Sequence, residues 1–176
     1  MLSKVLTITC VAAGSACAAA PALAATPALA AAPAAHAARH LPARIVLHTS
    51  IAGFRLGVTP RAVERRLGRP SQTIRVSGRI AQLTYNRAGL GFAFDTLQRS
   101  DPADDITAYI ARYHTSKGIR VGASEKAVKR AYHGLHCQLG LCDLYQGTPG
   151  TVGSSDTAFT FFRGKLDTIQ VQKVFE

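Results

Sequence analysis

"FRLGVTPRAVERRLGRP", residues 54–70, is echoed by "IRVGASEKAVKRAYHG", residues 119–134. Aligned at a spacing of 65 residues, Arg55 meets Arg120, Gly57 meets Gly122, Ala62 meets Ala127, Val63 meets Val128 and Arg65 meets Arg130. Each copy follows the same local grammar. An apolar pair precedes a glycine turn, and Thr59 or Ser124 stands where a helix N-cap belongs, its hydroxyl able to accept an otherwise unpaired backbone N–H. Pro60 suits the first helical position because it has no N–H to leave unpaired, and Glu125 suits it because its charge complements the helix dipole. The spacing predicts helices of about eight to ten residues, closed by Gly68 and Gly134 as C-terminal caps. Val63 with Leu67, and Val128 with Tyr132, lie i and i+4, so each helix offers one narrow apolar stripe.

After each helix the period changes from helical to two. "TIRV" and "AQLTY" flank Ser77-Gly78, a turn signal; "GLGFAFD" places Leu90, Phe92 and Phe94 on one face. "DITAYIARY" reads as a strand with Ile106, Ala108 and Ile110 on one face and Tyr109 and Tyr113 on the other. In the second copy "CQLGLC", "DTAFTFF" and "DTIQVQKV" repeat the pattern. The expectation is an α+β fold of two tandem helix-plus-antiparallel-sheet repeats, residues 51–115 and 116–176, with the sheet packed on the short helices. Two small units that would hardly form stable cores alone would share one longer sheet.

Upstream of the first copy the chain has another character. Residues 1–24 carry one basic residue, Lys4, an apolar run from Val5 to Ala20, and Ala22-Leu23-Ala24, the features of a secretory signal peptide. Cys17, after "GSA", leaves lipidation open as a second reading. Residues 25–50 begin as an Ala/Pro-rich stretch and read as a tether, its prolines excluding regular helix and its small residues offering no core. His36 and His40 read as solvated residues of that tether. The expected location is secreted, periplasmic or at the cell envelope.

Cysteine usage agrees with export. Once a leader is removed, Cys137 and Cys142 remain, an even pair that an oxidising compartment converts to a disulfide, here stapling a hairpin turned at Gly140. A redox site would more usually separate its cysteines by two residues, and a zinc site would need further ligands, for which His133 and His136 are the nearest candidates.

The whole chain of 176 residues carries 21 Lys and Arg against 10 Asp and Glu, a formal net charge of +11, and loss of Lys4 leaves it near +10. Such a balance favours anionic neighbours. Arg61, Arg65, Arg66, Lys126 and Arg130, on the outer faces of the two helices, are the candidate anion-binding residues. The chain has no Trp and no basic-aromatic motif, so nucleic acid is not an expected partner.

The tandem of G-x-[ST]-x-x-x-V-x-x-x-hydrophobic units, closed by Gly68 directly in the first copy and by Gly134 one residue later in the second, each followed by an antiparallel sheet and the second carrying a cysteine pair across its first hairpin, resembles the β-lactamase inhibitor protein fold. It is also similar to the small outer-membrane assembly lipoproteins of the SmpA/OmlA type, which hold one such unit. The resemblance covers residues 51–176. It implies a non-catalytic protein that grips another protein with its sheet and hairpin loops. In the inhibitor an acidic residue on a hairpin enters the target's active site; the matching hairpin here, Tyr85–Phe92, carries Asn86 and Arg87 and no carboxylate. The inhibitor's first disulfide is also absent, Val76 and Ala81 standing in its hairpin.

Period-two alternation then names the side chains expected on the helix-free face of the sheet. Tyr109, Tyr113, Phe162, Gln170 and Gln172 are the candidate partner-binding residues, since aromatic rings bury area while amides and hydroxyls adapt. The expected partner is another exported protein, met by a monomer, with anionic wall or membrane polymers as the alternative. A small envelope hydrolase is the third reading, with His133 and His136 near Asp143 as its best cluster. No catalytic residue, metal or cofactor is expected: no nucleophile-elbow motif is present, and "SDPADD", residues 100–105, lacks the spacing of a calcium loop and reads as a turn.

Overall fold

The computed structural model describes residues 40–98 and 100–174; the signal-peptide reading, Cys17 and the first part of the Ala/Pro stretch lie outside them. Eleven strands and two short helices are present among these residues. Strands β1 (Ile45–Val46), β2 (Ser50–Ile51) and β3 (Phe54–Arg55) form a small antiparallel sheet. Helix α1 (Pro60–Leu67) leads into β4 (Gln72–Val76), β5 (Arg79–Tyr85), β6 (Leu90–Phe94) and β7 (Ala103–Ala108). Helix α2 (Glu125–Ala131) leads into β8 (His136–Gln138), β9 (Leu141–Gln146), β10 (Ser155–Phe162) and β11 (Lys165–Lys173). The eight strands β4 to β11 make one antiparallel sheet in the order β4-β5-β6-β7-β11-β10-β9-β8, an α+β architecture dominated by sheet.

Local chemistry accounts for most of these boundaries. Pro60 opens α1, and Gly68 closes it at φ 77°, with its N–H returned to the Glu64 carbonyl. At α2 the Ser124 hydroxyl accepts the N–H of Ala127 at 3.2 Å, whereas Thr59 has the extended N-cap backbone but makes no side-chain cap bond. The second helix ends earlier than its sequence suggests. Tyr132, not Gly134, is its C-cap, because the Tyr132 ring is drawn into the core against Phe159, with centroids 5.5 Å apart, and its hydroxyl bonds Thr115.

Three hairpins turn on adjacent residues of positive φ: Ser77-Gly78 between β4 and β5, Leu139-Gly140 between β8 and β9, and Arg163-Gly164 between β10 and β11. Two successive positive φ values match the right-handed twist of the flanking strands, which is why glycine holds the second place in each. Cys137 and Cys142 face one another across the β8–β9 hairpin and are joined by a disulfide, as expected.

One face of the large sheet carries everything else. Leu83, Phe92, Ile106, Val171 and Thr157 form a row of cross-strand partners, and all are buried. Val63 and Leu67 of α1, and Val128 of α2, pack into the same core, as does the small sheet, whose Phe54 meets Phe92 edge-on at 5.1 Å. Leu41 and Ile45 are buried in it too, so the expected tether does not run to residue 50: from Leu41 onward the chain is part of the fold. Burial of these large side chains contributes about 1.5–3 kcal/mol each, more than a mobile tether residue could gain.

The expected strand "DITAYIARY" is shifted. It begins at Ala103, taking Asp104 and Asp105 out of the predicted turn, and ends at Ala108. Beyond it Ile110 lies directly under Gly89, where a Cβ would stand 2.4 Å from the isoleucine Cγ1. Tyr113 follows into the core, fully buried, donating its hydroxyl to the Ala88 carbonyl at 2.7 Å. Tyr113 is therefore not on the open face as expected: the alternation runs on past Ala108 into a segment that has left the sheet.

Candidate functional site

The other face of the eight-stranded sheet is not covered by any described helix or strand. Cross-strand register lays its residues out in rows. One row runs Ile74, Gln82, Ala93, Asp105, Gln172, Asp156 and Tyr145, from β4 to β9. The next runs Gln72, Thr84, Gly91, Thr107, Gln170, Ala158, Asp143 and His136, reaching β8. From β7 across β11 and β10 to β9, these rows carry three separate sets of polar contacts. The Thr107 hydroxyl donates to Asp105 Oδ1 at 2.9 Å and Gln170 Nε2 donates to Asp105 Oδ2. Gln172 Nε2 donates to Asp156 Oδ2 at 2.6 Å, and the Tyr145 hydroxyl donates to Asp143 Oδ2 at 3.3 Å.

Four aspartates, Asp104, Asp105, Asp143 and Asp156, thus line a shallow groove of about 490 Å³ on a strongly basic chain, with Lys173, Leu141 and Pro149 also in its wall. Burial pushes the Asp105 carboxyl up to about 6; the hydrogen bonds from Thr107 and Gln170 oppose the rise, and the charges of Asp104 and Asp156 add to it. Asp156 is raised in the same sense by burial, with Gln172 opposing and Asp143 adding. Asp104, the extra residue of an irregularity in the β6–β7 pairing, is raised by burial, and its Oδ1 has no hydrogen-bond partner among the described residues.

Tyr109 is held on the same face, over Gly91 of the second row, by an absence of side chain. A Cβ built on Gly91 would meet the Tyr109 hydroxyl at 2.1 Å and Cζ at 2.9 Å, so the ring lies across the glycine and could not do so over any other residue. The ring stays partly exposed, at 37%. Its hydroxyl titrates above the ordinary value because of burial and the neighbouring Asp105 charge.

Of the residues expected on this face, Gln170 and Gln172 stand in the rows beside Asp105, and Tyr109 lies over Gly91 of the second row. Phe162 does not join them. It is 64% exposed at the β10–β11 turn, beneath the Arg163 guanidinium at 5.1 Å. Asp156 carries no signal in the sequence; Asp143 is expected only as a neighbour of His133 and His136, and Asp105 only within the turn-like residues 100–105 and at the start of "DITAYIARY", not as members of this face. Asp105 carried a usable signal, since it stands two residues before Thr107 on the same face of the strand.

The expected anion-binding residues sit on the opposite side of the molecule. Arg61, Arg65, Lys126 and Arg130 are exposed on the outer faces of α1 and α2. Arg66 is committed elsewhere: its Nη1 donates to the Gly53 carbonyl at 3.0 Å and its guanidinium stacks on Phe54 at 4.5 Å, tying α1 to the small sheet. Cations outnumber carboxylates on the helix layer, where Glu64 and Glu125 stand among them, and carboxylates outnumber cations around the open-sheet groove, where Lys173 stands among them.

His133 is exposed, and His136 lies against Tyr145 with ring centroids 5.5 Å apart. No group of three His, Cys, Asp or Glu side chains able to hold a metal ion occurs among the described residues, and no described helix is long and apolar enough to cross a membrane. Comparison with protein-family models, curated proteins and solved structures finds no match to this chain.

Proposed function

We propose that this is an exported, non-catalytic protein-interaction module, inhibitor-like in manner, that receives another exported protein on the open face of its eight-stranded sheet. The observation that carries the reading is the uncovered pair of rows centred on Asp105, with Tyr109 lodged over Gly91. Rigid aromatic area beside adaptable amides and half-desolvated carboxylates is the composition of a recognition surface. The carboxylates suit a partner that offers Lys, Arg or amide donors.

We further read the chain as a tandem duplication, and the register supports this. The spacing of 65 that aligns the two helix motifs also carries Ile106 onto Val171, and these two residues are direct partners across β7 and β11. It carries Phe92 onto Thr157, and Phe92 pairs with Ile106 as Thr157 pairs with Val171. A two-fold relation between the halves would pass through the Ile106–Val171 pair. The resemblance of the tandem units to the β-lactamase inhibitor fold points to the same use of the open face.

The charge segregation favours a second reading, in which the helix layer holds anionic envelope polymers. Affinity capture with the full chain from an envelope extract separates the two. On the first reading a stoichiometric protein survives high salt, is lost with Tyr109→Ala and Gln172→Ala, and is kept by Arg65→Gln with Lys126→Gln. Capture that salt abolishes, and that only the Arg65 and Lys126 changes weaken, refutes it.

A further inference from the structure

The two edges of the large sheet are unlike. β8 is three residues long and cross-linked to β9 by the disulfide. β4 is five residues, pairs on one side only among the described residues, and all five of its residues are exposed. Ile74 is 42% and Val76 52% exposed, and neither a proline nor a bulged residue of its own interrupts the strand. The irregularity opposite it leaves Ala81 of β5 unpaired, so β4 is the continuous member of the hairpin. An edge with free backbone donors and acceptors, β-branched apolar side chains and no blunting device is a template for another strand.

The charges beside this edge are drawn away from it. Arg75 Nη1 donates back to the Gly78 carbonyl at 3.1 Å within its own hairpin. Arg79 is turned toward the 95–101 loop, donating to the Thr96 and Gln98 carbonyls and pairing with Asp101. A lysine or arginine reaching freely into solvent from an edge strand ordinarily repels a second strand; here both guanidiniums are occupied.

We propose that β4 pairs antiparallel with β4 of a second copy of this chain, about a two-fold axis at Ile74. The sequence "QTIRV" is self-complementary in that register. Ile74 faces its counterpart, Gln72 faces Val76, and Thr73 faces Arg75, so apolar side chains meet at the axis and no like charges stand opposite one another. A two-fold contact of this kind closes on itself as a dimer and does not propagate. Ile74 begins the row that runs through Asp105 to Tyr145 on the open face, so pairing joins the open faces of two copies into one continuous surface. The expected monomer is, on this inference, the low-salt form: two copies of net charge +11 repel one another over a distance that salt shortens, about 10 Å at 0.1 M.

Sedimentation equilibrium of the full chain tests this. A reversible dimer is expected, tightening as salt is raised and weakened about tenfold or more by Ile74→Lys with Val76→Lys. Cysteine variants report register without depending on that double change. Ile74→Cys alone forms a 74–74 cross-link identified by peptide mass, Arg75→Cys alone forms none at that position, and Thr73→Cys mixed with Arg75→Cys forms the 73–75 cross-link. A chain that stays monomeric at every salt and concentration overturns the proposal. So does a dimer that tolerates both lysines, or one that cross-links through Arg75→Cys alone.

Discussion

Replacing Asp105 by Asn should stabilise the protein at neutral pH, although it removes a charge that accepts two hydrogen bonds. The sign follows from the titration. Burial raises the folded-state carboxyl from 3.8 to about 6, so the folded protein holds its proton more tightly than the unfolded chain does. Stability linked to this group is full below pH 3.8 and is lost as pH rises through 6. A rise of that size corresponds to about 3 kcal/mol. Asn presents the neutral shape at every pH: its carbonyl can still accept from Gln170 or Thr107, and no ionisation opposes folding. The gain will fall short of the full amount where its amide meets Thr107 less well than a carboxyl does. Urea unfolding of wild type and Asp105→Asn between about pH 4 and pH 8 isolates the effect, because the self-repulsion of a basic chain at low pH is nearly common to both. The two proteins should be equally stable near pH 4 and diverge to about 2–3 kcal/mol by pH 7.5, the variant being the more stable. A constant difference across this range, or a variant less stable at pH 7.5, would refute the assignment of Asp105 as a desolvated carboxylate. If the divergence is found, the protein keeps a destabilising charge on an open face, the usual mark of a residue held for binding.

Gly91→Ala should leave stability within about 1 kcal/mol, because alanine suits a strand better than glycine, yet swing Tyr109 off the sheet. The check is a Tyr109 ring resonance titrating closer to the ordinary tyrosine value, with partner capture lost. Ser124→Ala should cost about 1 kcal/mol in thermal or urea unfolding through the lost cap, and Thr59→Ala close to nothing, since its hydroxyl caps no backbone N–H. Tyr113→Phe strands the Ala88 carbonyl and should cost about 1–3 kcal/mol by the same assay, with no effect on any partner.

Hydrophobic period carried much of the fold in plain view: Val63 with Leu67, Val128 with Tyr132, and Leu90, Phe92 and Phe94 all point where their spacing says. Turn chemistry did the same at Ser77-Gly78 and at Gly140. What local pattern could not carry was the point at which a strand leaves its sheet. Tyr113 continues the alternation of β7 perfectly well as a string of letters, but the space beneath Gly89 and the Ala88 carbonyl pull its segment inward. Asp105 stands where two local readings meet. It ends the turn-like "SDPADD" and opens the strand "DITAYIARY", and only pairing with Gln172, a residue far along the chain, sets it in the open-face row. The candidate site is assembled by register, and register between distant strands has no local signature.

The strand order has a consequence for how the molecule is made. β7 is the last strand before α2 and β11 the last described strand, and their pairing closes the sheet at its middle, between residues 65 positions apart in the contact of Asp105 with Gln170. Contacts of such separation form late, after the loop they close has lost its freedom. A chain interrupted anywhere before β11 can build the first hairpins and α1 but has no Gln170 or Gln172 to complete the rows around Asp105. The open-face rows around Asp105 are therefore complete only with the last strand, and a chain that stops short of β11 lacks the amides that Asp105 and Asp156 accept from.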